Sequence, residues 1–217
     1  MAFDYLLFDL DDTLYTNASG LFGEVGRLIE TWLARELHLS AAEAHALRQH
    51  YFEAYGTTMA GLLRDHPELD LEDYLEFAHG ADLNAYLSPS PALDAMLARL
   101  PLPKVIFTNA IASWAERVLH TLEIRHHFEV IIDVRAVDYR GKPAPEAYTL
   151  ALALLDVPGP ACILVDDQAR NLQGAKEFGM GTILVREGAG PVEGVDAVVG
   201  GILEVEPVLH RWLTPPG

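Results

Sequence analysis

Tyr5-Leu6-Leu7-Phe8-Asp9-Leu10-Asp11-Asp12-Thr13-Leu14 is the stretch that decides the fold. Four residues with no polar alternation are followed at once by three carboxylates in four positions. A continuous apolar run of this length suits a strand buried on both faces of a parallel sheet. The abrupt change to acid marks that strand's carboxyl end, the edge at which open α/β sheets bind ligands. Similar apolar runs recur at 105–107, 130–132, 162–165 and 182–185. Helical patterns separate the later ones. Ser90-Pro91 reads as an N-cap and a first-turn proline, opening a helix to about Arg99. Pro145 opens a second, to about Leu155, and residues 168–178 form a third that Gly179 can end. Strand–helix alternation of this kind predicts a Rossmann-like, doubly wound parallel α/β sheet.

The first interval breaks the alternation. Between Phe8 and residue 105 the pattern is helical. Leu21, Val25, Leu28, Trp32 and Leu37 share one face at 3.6-residue spacing. Ser40-Ala41-Ala42-Glu43 is a capping box for a helix running to about Tyr55. Residues 57–64 and 71–77 suggest two more. Residues 16–87 hold twelve acids, four arginines and no lysine, the composition of a solvated face. The expected organisation is an α/β core, residues 1–15 and 88–217, interrupted by an all-helical insertion, residues 16–87. Glycine, serine, asparagine and proline at 16–20 and 87–90 mark those connections as hinges, and the tail 214–217 is expected to fray.

Over all 217 residues there are 32 acids against 15 bases, a formal net charge of -17. Nucleic-acid polymers are gripped by basic stripes, so this balance excludes them as partners. It equally argues against docking on an anionic membrane. A small anionic ligand remains compatible, because local charge can oppose net charge. The one cysteine, Cys162, lies in an apolar run and reads as a core residue. Residues 1–5 lack a basic segment and a following apolar stretch, and no run approaches a membrane span. A cytoplasmic location is therefore expected. No feature of the sequence specifies an oligomeric state.

The residues just beyond each strand carry the chemistry. Asp9 and Asp11 are two apart, so an extended backbone would point them the same way. Packing two carboxylates together is unfavourable unless a cation or a proton is shared. Thr108-Asn109 follows the second strand, and Lys142 precedes Pro143 and Pro145 after the third. Asp166-Asp167 follows the fourth and precedes a helix. Singly, these are also what turns, helix caps and a surface lysine look like. Jointly, four acids, a hydroxyl and a lysine at one sheet edge describe a Mg²⁺–phosphate site. Mg²⁺ takes hard oxygen ligands, and lysine serves phosphate as a point charge.

In this order and spacing the four elements resemble the haloacid dehalogenase-like hydrolase superfamily, over essentially the whole chain. Asp9-Leu10-Asp11-Asp12-Thr13 matches its first motif, Thr108 its second, Lys142 its third and Asp166-Asp167 its fourth. The resemblance implies that Asp9 is the nucleophile, giving an aspartyl-phosphate, and that Asp11 is the general acid and then base. It implies Mg²⁺ on Asp9, the backbone carbonyl of Asp11 and Asp167, with Asp166 holding a metal-bound water. Thr108 and the Asn109 N–H would bind phosphoryl oxygens, and Lys142 would neutralise nucleophile and phosphoryl group. Asn171 would buttress the fourth loop and Thr13 the first. The insertion looks like the family's type-one cap. Halide leaves without a proton and alkoxide needs one, so Asp11 favours a phosphatase over a dehalogenase.

Leu14-Tyr15-Thr16, the Tyr-Gly-Thr-Thr-x-x-Gly-Leu stretch at 55–62 and His79 are similar to the pyrimidine 5'-nucleotidase-like branch. That resemblance implies nucleoside 5'-monophosphates as substrates. Thr57 and Thr58 would then offer hydroxyls to the cleft, and Tyr15 or Tyr55 would stack on a base or pack between insertion and core. A phosphosugar mutase or a phosphoglycolate-type phosphatase shares the same motifs. A non-catalytic phospho-ligand-binding domain is the remaining alternative, against which carboxylates at both positions 9 and 11 weigh.

Overall fold

The computed structural model describes residues 3–16 and 19–213. The expected hinge at 16–20 falls partly, and the tail at 214–217 wholly, outside the described residues. Six parallel strands form one sheet: β1 (Tyr5–Phe8), β2 (Lys104–Phe107), β3 (Phe128–Ile132), β4 (Cys162–Asp166), β5 (Gly181–Val185) and β6 (Ala197–Val199). Their order is β3-β2-β1-β4-β5-β6, with β1 at the centre. The order reverses beside β1, which makes its carboxyl end the switch point of the sheet.

Alternating side chains bury both faces. Leu6 and Phe8 enter one apolar layer with Ile106 and Trp114; Leu7 enters the other with Val105, Phe107 and Tyr148. Cys162 is buried in that second layer. The edge strand β3 departs from the expected two-sided burial: Glu129 and Val130 are exposed. β2 starts one residue before its apolar run. The stem of Lys104 is buried there, and its Nζ donates to Leu100 O at 2.9 Å and Leu102 O at 3.1 Å. Three-residue β6 is too short to show a sequence period.

Among the described residues, four α-helices and a short 3-10 turn (Leu83–Ala85) lie between β1 and residue 87: α1 (Leu21–Glu36), α2 (Ala41–Tyr55), α3 (Thr58–Asp65) and α4 (Leu71–Ala78). The capping box of α2 is formed at both ends, Ser40 N–H to Glu43 and Glu43 N–H to Ser40 Oγ. Thr57 caps α3 by accepting from Ala60 N–H at 3.1 Å. Gly61 is where α3 presses on α2: a Cβ there would lie 2.2 Å from the Tyr51 ring. Trp32, Leu33, Tyr51 and Leu62 are buried in continuity with the first apolar layer.

Residues 87–90 carry no helix or strand. The remaining helices are α5 (Pro91–Arg99), α6 (Ala112–Thr121), α7 (Pro145–Leu155), α8 (Ala169–Glu177) and α9 (Val205–Leu213). Ser90 stands at the N-cap of α5, but its side chain makes no capping bond; Pro91 at the first turn shapes that start instead. Among the described residues no helix is long and apolar enough to cross a membrane.

Candidate active site

Parallel register brings the strand ends together. Phe8 pairs with Ile106 on one side and Val165 on the other, and Asp9 N–H donates to Val165 O at 2.9 Å. Asp9 therefore emerges beside Asp166. Its Oδ1 accepts from Lys142 Nζ at 2.9 Å, and its Oδ2 from Thr13 Oγ1 at 3.1 Å. The chain turns at once: Leu14 N–H returns to Leu10 O at 3.0 Å, and Asp12 adopts a left-handed φ of 63°. The extended geometry expected across residues 9–11 thus gives way to a turn, yet Asp9 and Asp11 still face one cavity.

Lys142 is not a surface lysine. Its side chain has no solvent exposure, and its Nζ also donates to Asp166 at 2.7 Å. The ammonium lies 5.0 Å from the centre of the Phe107 ring. Asn109 fixes the loop that carries it. The Asn109 Nδ2 donates to Lys142 O at 2.8 Å, and Lys142 N–H donates to Asn109 Oδ1 at 2.7 Å. Gly141 permits this approach, since a Cβ there would sit 2.7 Å from Asn109 Oδ1. Thr108 is buried, accepts from Ala110 N–H at 3.0 Å and lines the cavity.

Asp166 is fully buried and saturated with donors: Lys142, Gln168 N–H at 2.8 Å, and Asn171 Nδ2 at 3.0 and 3.1 Å. Asp167 follows, with a bond from Gln168 to its carboxylate and one from Arg186 to its carbonyl at 2.8 Å. Carboxylate oxygens of Asp9, Asp166 and Asp167 all lie within 4.8 Å of one another. One lysine cannot neutralise three acids. Burial pushes the Asp9 carboxyl up to about 7, with Lys142 pulling it down and Asp166 pushing it further up. Burial, then Asp9 and Asp166, push Asp167 up to about 8. Burial opposes the charge on Lys142, but Asp166 and Asp9 outweigh it and hold the ammonium protonated. An oxygen cage short of positive charge fits Mg²⁺.

Asp11 has a separate setting. Its Oδ1 accepts hydrogen bonds from the Tyr15 hydroxyl and, at 2.9 Å, from Trp114 Nε1. Burial and the neighbouring Asp11 raise the Tyr15 phenol far above its usual range, which keeps it a donor. The His79 ring lies 5.2 Å from Trp114, donates from Nδ1 to Leu75 O at 2.7 Å, and is pushed down by burial toward the neutral form.

The cavity above these groups holds ≈ 260 Å³. Its floor is Asp9, Asp11, Thr108, Asn109 and Asp167, with Lys142 and Asp166 buried outside the lining; its far wall comes from α1, α2, α3 and α4, including Thr57, Thr58 and His79. Tyr15 and Tyr55 are absent from that lining. Tyr15 is turned onto Asp11, and the Tyr55 hydroxyl accepts from Arg64, whose guanidinium stacks on its ring at 5.0 Å. Trp114 and Arg170 escaped the sequence reading. Arg170 lies in the first turn of α8, three residues beyond Asp167 and past the Gln168 N-cap, and its reach to Phe52 depends on tertiary packing that spacing does not encode. Trp114 carried no local signal.

A six-stranded parallel sheet with an acidic, lysine-bridged switch point and a helical insert after its first strand defines a class. The family described as haloacid dehalogenase-like hydrolase matches residues 3–179, and the chain belongs to it. Phosphate metabolism protein 8 of Saccharomyces cerevisiae is 25% identical over 191 residues, 82% of this chain and 60% of the yeast protein. The chain thus spans less than two thirds of that relative's length. The (S)-2-haloacid dehalogenase of Xanthobacter autotrophicus is 26% identical over 175 residues, 80% of this chain and 68% of that protein. The crystal structure of a HAD phosphatase from Thermococcus onnurineus superposes with a TM-score of 0.64 at 19% identity, covering 95% of this chain and 97% of that one.

Proposed function

We propose that this hydrolase is a Mg²⁺-dependent phosphomonoesterase of small phosphorylated metabolites, with nucleoside 5'-monophosphates its preferred class. The single observation that carries the reading is the pair Asp9 and Asp11 facing one cavity, Asp9 tied to Lys142 at 2.9 Å. A carbon–halogen bond needs a nucleophile alone; a phosphate ester needs a second carboxyl to protonate the leaving oxygen.

Asp9 attacks phosphorus, and the bond to the ester oxygen breaks as Asp11 delivers its proton to that oxygen. Asp11, now a carboxylate, takes a proton from water, which attacks the phosphorus and releases Asp9 and phosphate. Thr13 and Lys142 hold the two Asp9 oxygens in place. Thr108 and the Asn109 N–H bind phosphoryl oxygens, and Lys142 offsets their charge. Asp9, Asp167 and the Asp11 carbonyl would hold Mg²⁺, with Asp166 beside them. When bound, the ion supplies charge neutralisation and a template for the phosphoryl oxygens.

We assign residues 16–87 as a type-one cap on a core of 1–15 and 88–217, hinged at 16–20 and 87–90. Cap closure excludes water from the aspartyl-phosphate. Arg170 latches it: the guanidinium lies 4.4 Å over the Phe52 ring and donates to Phe52 O at 2.8 Å.

The test is phosphate release from a panel of esters, with Mg²⁺ and with a chelator. Release that needs Mg²⁺ and is lost in Asp9→Asn supports the reading. A panel with no turnover, or full activity in Asp9→Asn, overturns it.

A further inference from the structure

Among the described residues, two groups of three metal-ligating side chains bring their ligand atoms within 4.8 Å of one another. One is the strand-end set of Asp9, Asp166 and Asp167. The other is Asp94, His126 and His127. His127 immediately precedes β3, at the amino edge of the sheet, and Asp94 stands in α5, which leads into β2. This group is therefore on the opposite edge from the active site.

Local structure assembles it. In a strand, successive side chains point to opposite faces. Arg125–His127 instead form a short 3-10 turn, and the two imidazoles lie side by side with ring centres 4.0 Å apart. Both aim Nε2 at one atom: Asp94 Oδ1 is 2.7 Å from His127 and 3.2 Å from His126. Asp94 is fixed by the first turn of α5, where its N–H donates to Ser90 O at 3.0 Å. The neighbouring Arg125 points elsewhere, donating to Glu116 at 2.7 Å and to Phe128 O at 2.6 Å.

Two imidazole nitrogens and a carboxylate oxygen are the donors of Zn²⁺, Co²⁺ or Ni²⁺, not the all-oxygen set that Mg²⁺ takes. Zn–N and Zn–O bonds of about 2.0–2.1 Å put the ligand atoms of a tetrahedral site about 3.3 Å apart, close to the spacing here. His126 is 65% exposed, which leaves a side open for water as a further ligand. A net charge of -17 draws divalent cations to the surface.

We propose that Asp94, His126 and His127 form a second metal site, for a transition-metal ion of the Zn²⁺ class and separate from the Mg²⁺ set. The ion ties α5 to the turn that opens β3, joining residues 33 apart in the chain. It staples the amino edge of the sheet and takes no part in hydrolysis, so it stands independently of the phosphomonoesterase reading.

The test titrates Zn²⁺ by calorimetry into the untagged full chain saturated with Mg²⁺. One equivalent binds. His126→Ala and Asp94→Asn each weaken Zn²⁺ by at least about tenfold, since losing even a group behind a metal ligand costs that much. Zn²⁺ raises the melting temperature of the unaltered chain and leaves that of His126→Ala where it was. Because His126 is exposed, its alanine variant folds; the metal-free melting curve checks this. No Zn²⁺ uptake by the Mg²⁺-saturated chain, or uptake that both variants leave unchanged, overturns the site. Uptake lost in Asp167→Asn but kept in both variants would assign Zn²⁺ to the strand ends and overturn it equally.

Discussion

Trp114 donates its indole N–H to Oδ1 of Asp11 at 2.9 Å, joining residues 103 apart in the chain. Tyr15 donates to the same oxygen. Two donors on one oxygen fix the carboxyl rotamer, and the proposed reaction would use Oδ2 for proton exchange with the ester oxygen. The need for that proton grows with the basicity of the leaving group. Trp114→Phe should therefore slow hydrolysis of alkyl phosphates by about tenfold, and that of p-nitrophenyl phosphate by less than about threefold. Steady-state kcat on the two substrates checks this; an equal loss on both would mean simple structural damage.

Lys142 is a charge in an apolar wall, and its two partners are acids. Lys142→Met keeps the stem and removes the ammonium, leaving buried carboxylates without their counterion. Turnover should fall by at least about a hundredfold, since a preorganised charge at the reacting group is lost. Phosphate release measured beside circular dichroism separates loss of chemistry from loss of fold.

Metal and pH should be linked through the same acids. Asp9 and Asp167 are raised to about 7 and 8 in the folded chain, so between about pH 4 and pH 8 the native state holds protons the unfolded state has released. On account of these groups, stability of the metal-free protein is then highest below about pH 4, falls as pH rises from about 4 to 8, and levels off above that. Lys142, also raised, loses its contribution only above the ordinary lysine range and does not alter this window. Mg²⁺ should flatten the slope by replacing the protons. Melting temperatures across pH 5 to 8.5, with chelator and with Mg²⁺, read this directly; identical slopes would refute it.

Gly141 tests the Asn109 clamp. An alanine Cβ would lie 2.7 Å from Asn109 Oδ1, too close to accommodate without moving the Lys142 loop. Gly141→Ala should lower stability by about 1–3 kcal/mol and turnover with it. Pairing it with Asn109→Ala should recover part of the stability loss. Urea titrations of the single and double variants give the coupling.

The sheet was legible because β1, β2 and β4 are continuous apolar runs that end in polar residues, and the helical insert because of the capping box in Ser40 and Glu43 and the helical period of α1; the cap that Thr57 makes was read instead as a hydroxyl for the cleft. The site's floor was legible for the same reason: Asp9, Thr108 and Asp166 stand one or two places beyond an apolar run or at its end. Its walls were not. Whether a tyrosine stacks on a ligand or bonds to Asp11 depends on where its turn points it, which spacing does not encode. Trp114 reaches Asp11 through tertiary packing of α6, and Phe22, Val25 and Ile29, which line the cavity, carry the same helical period as core residues. Periodicity identifies an apolar face; it does not say whether core or cavity lies against it.

Cys162 gives the chain an internal clock. The sequence has one thiol, and it is buried at the start of β4, the opposite end of that strand from Asp166. Burial pushes it up to about 11, so both access and ionisation wait on the sheet coming apart. A thiol reagent should therefore label the native protein at the rate at which its central strands open, while motions of the helical insert pass unrecorded. The same seat shelters the thiol from oxidation, so its chemical lifetime is governed by the opening of the sheet.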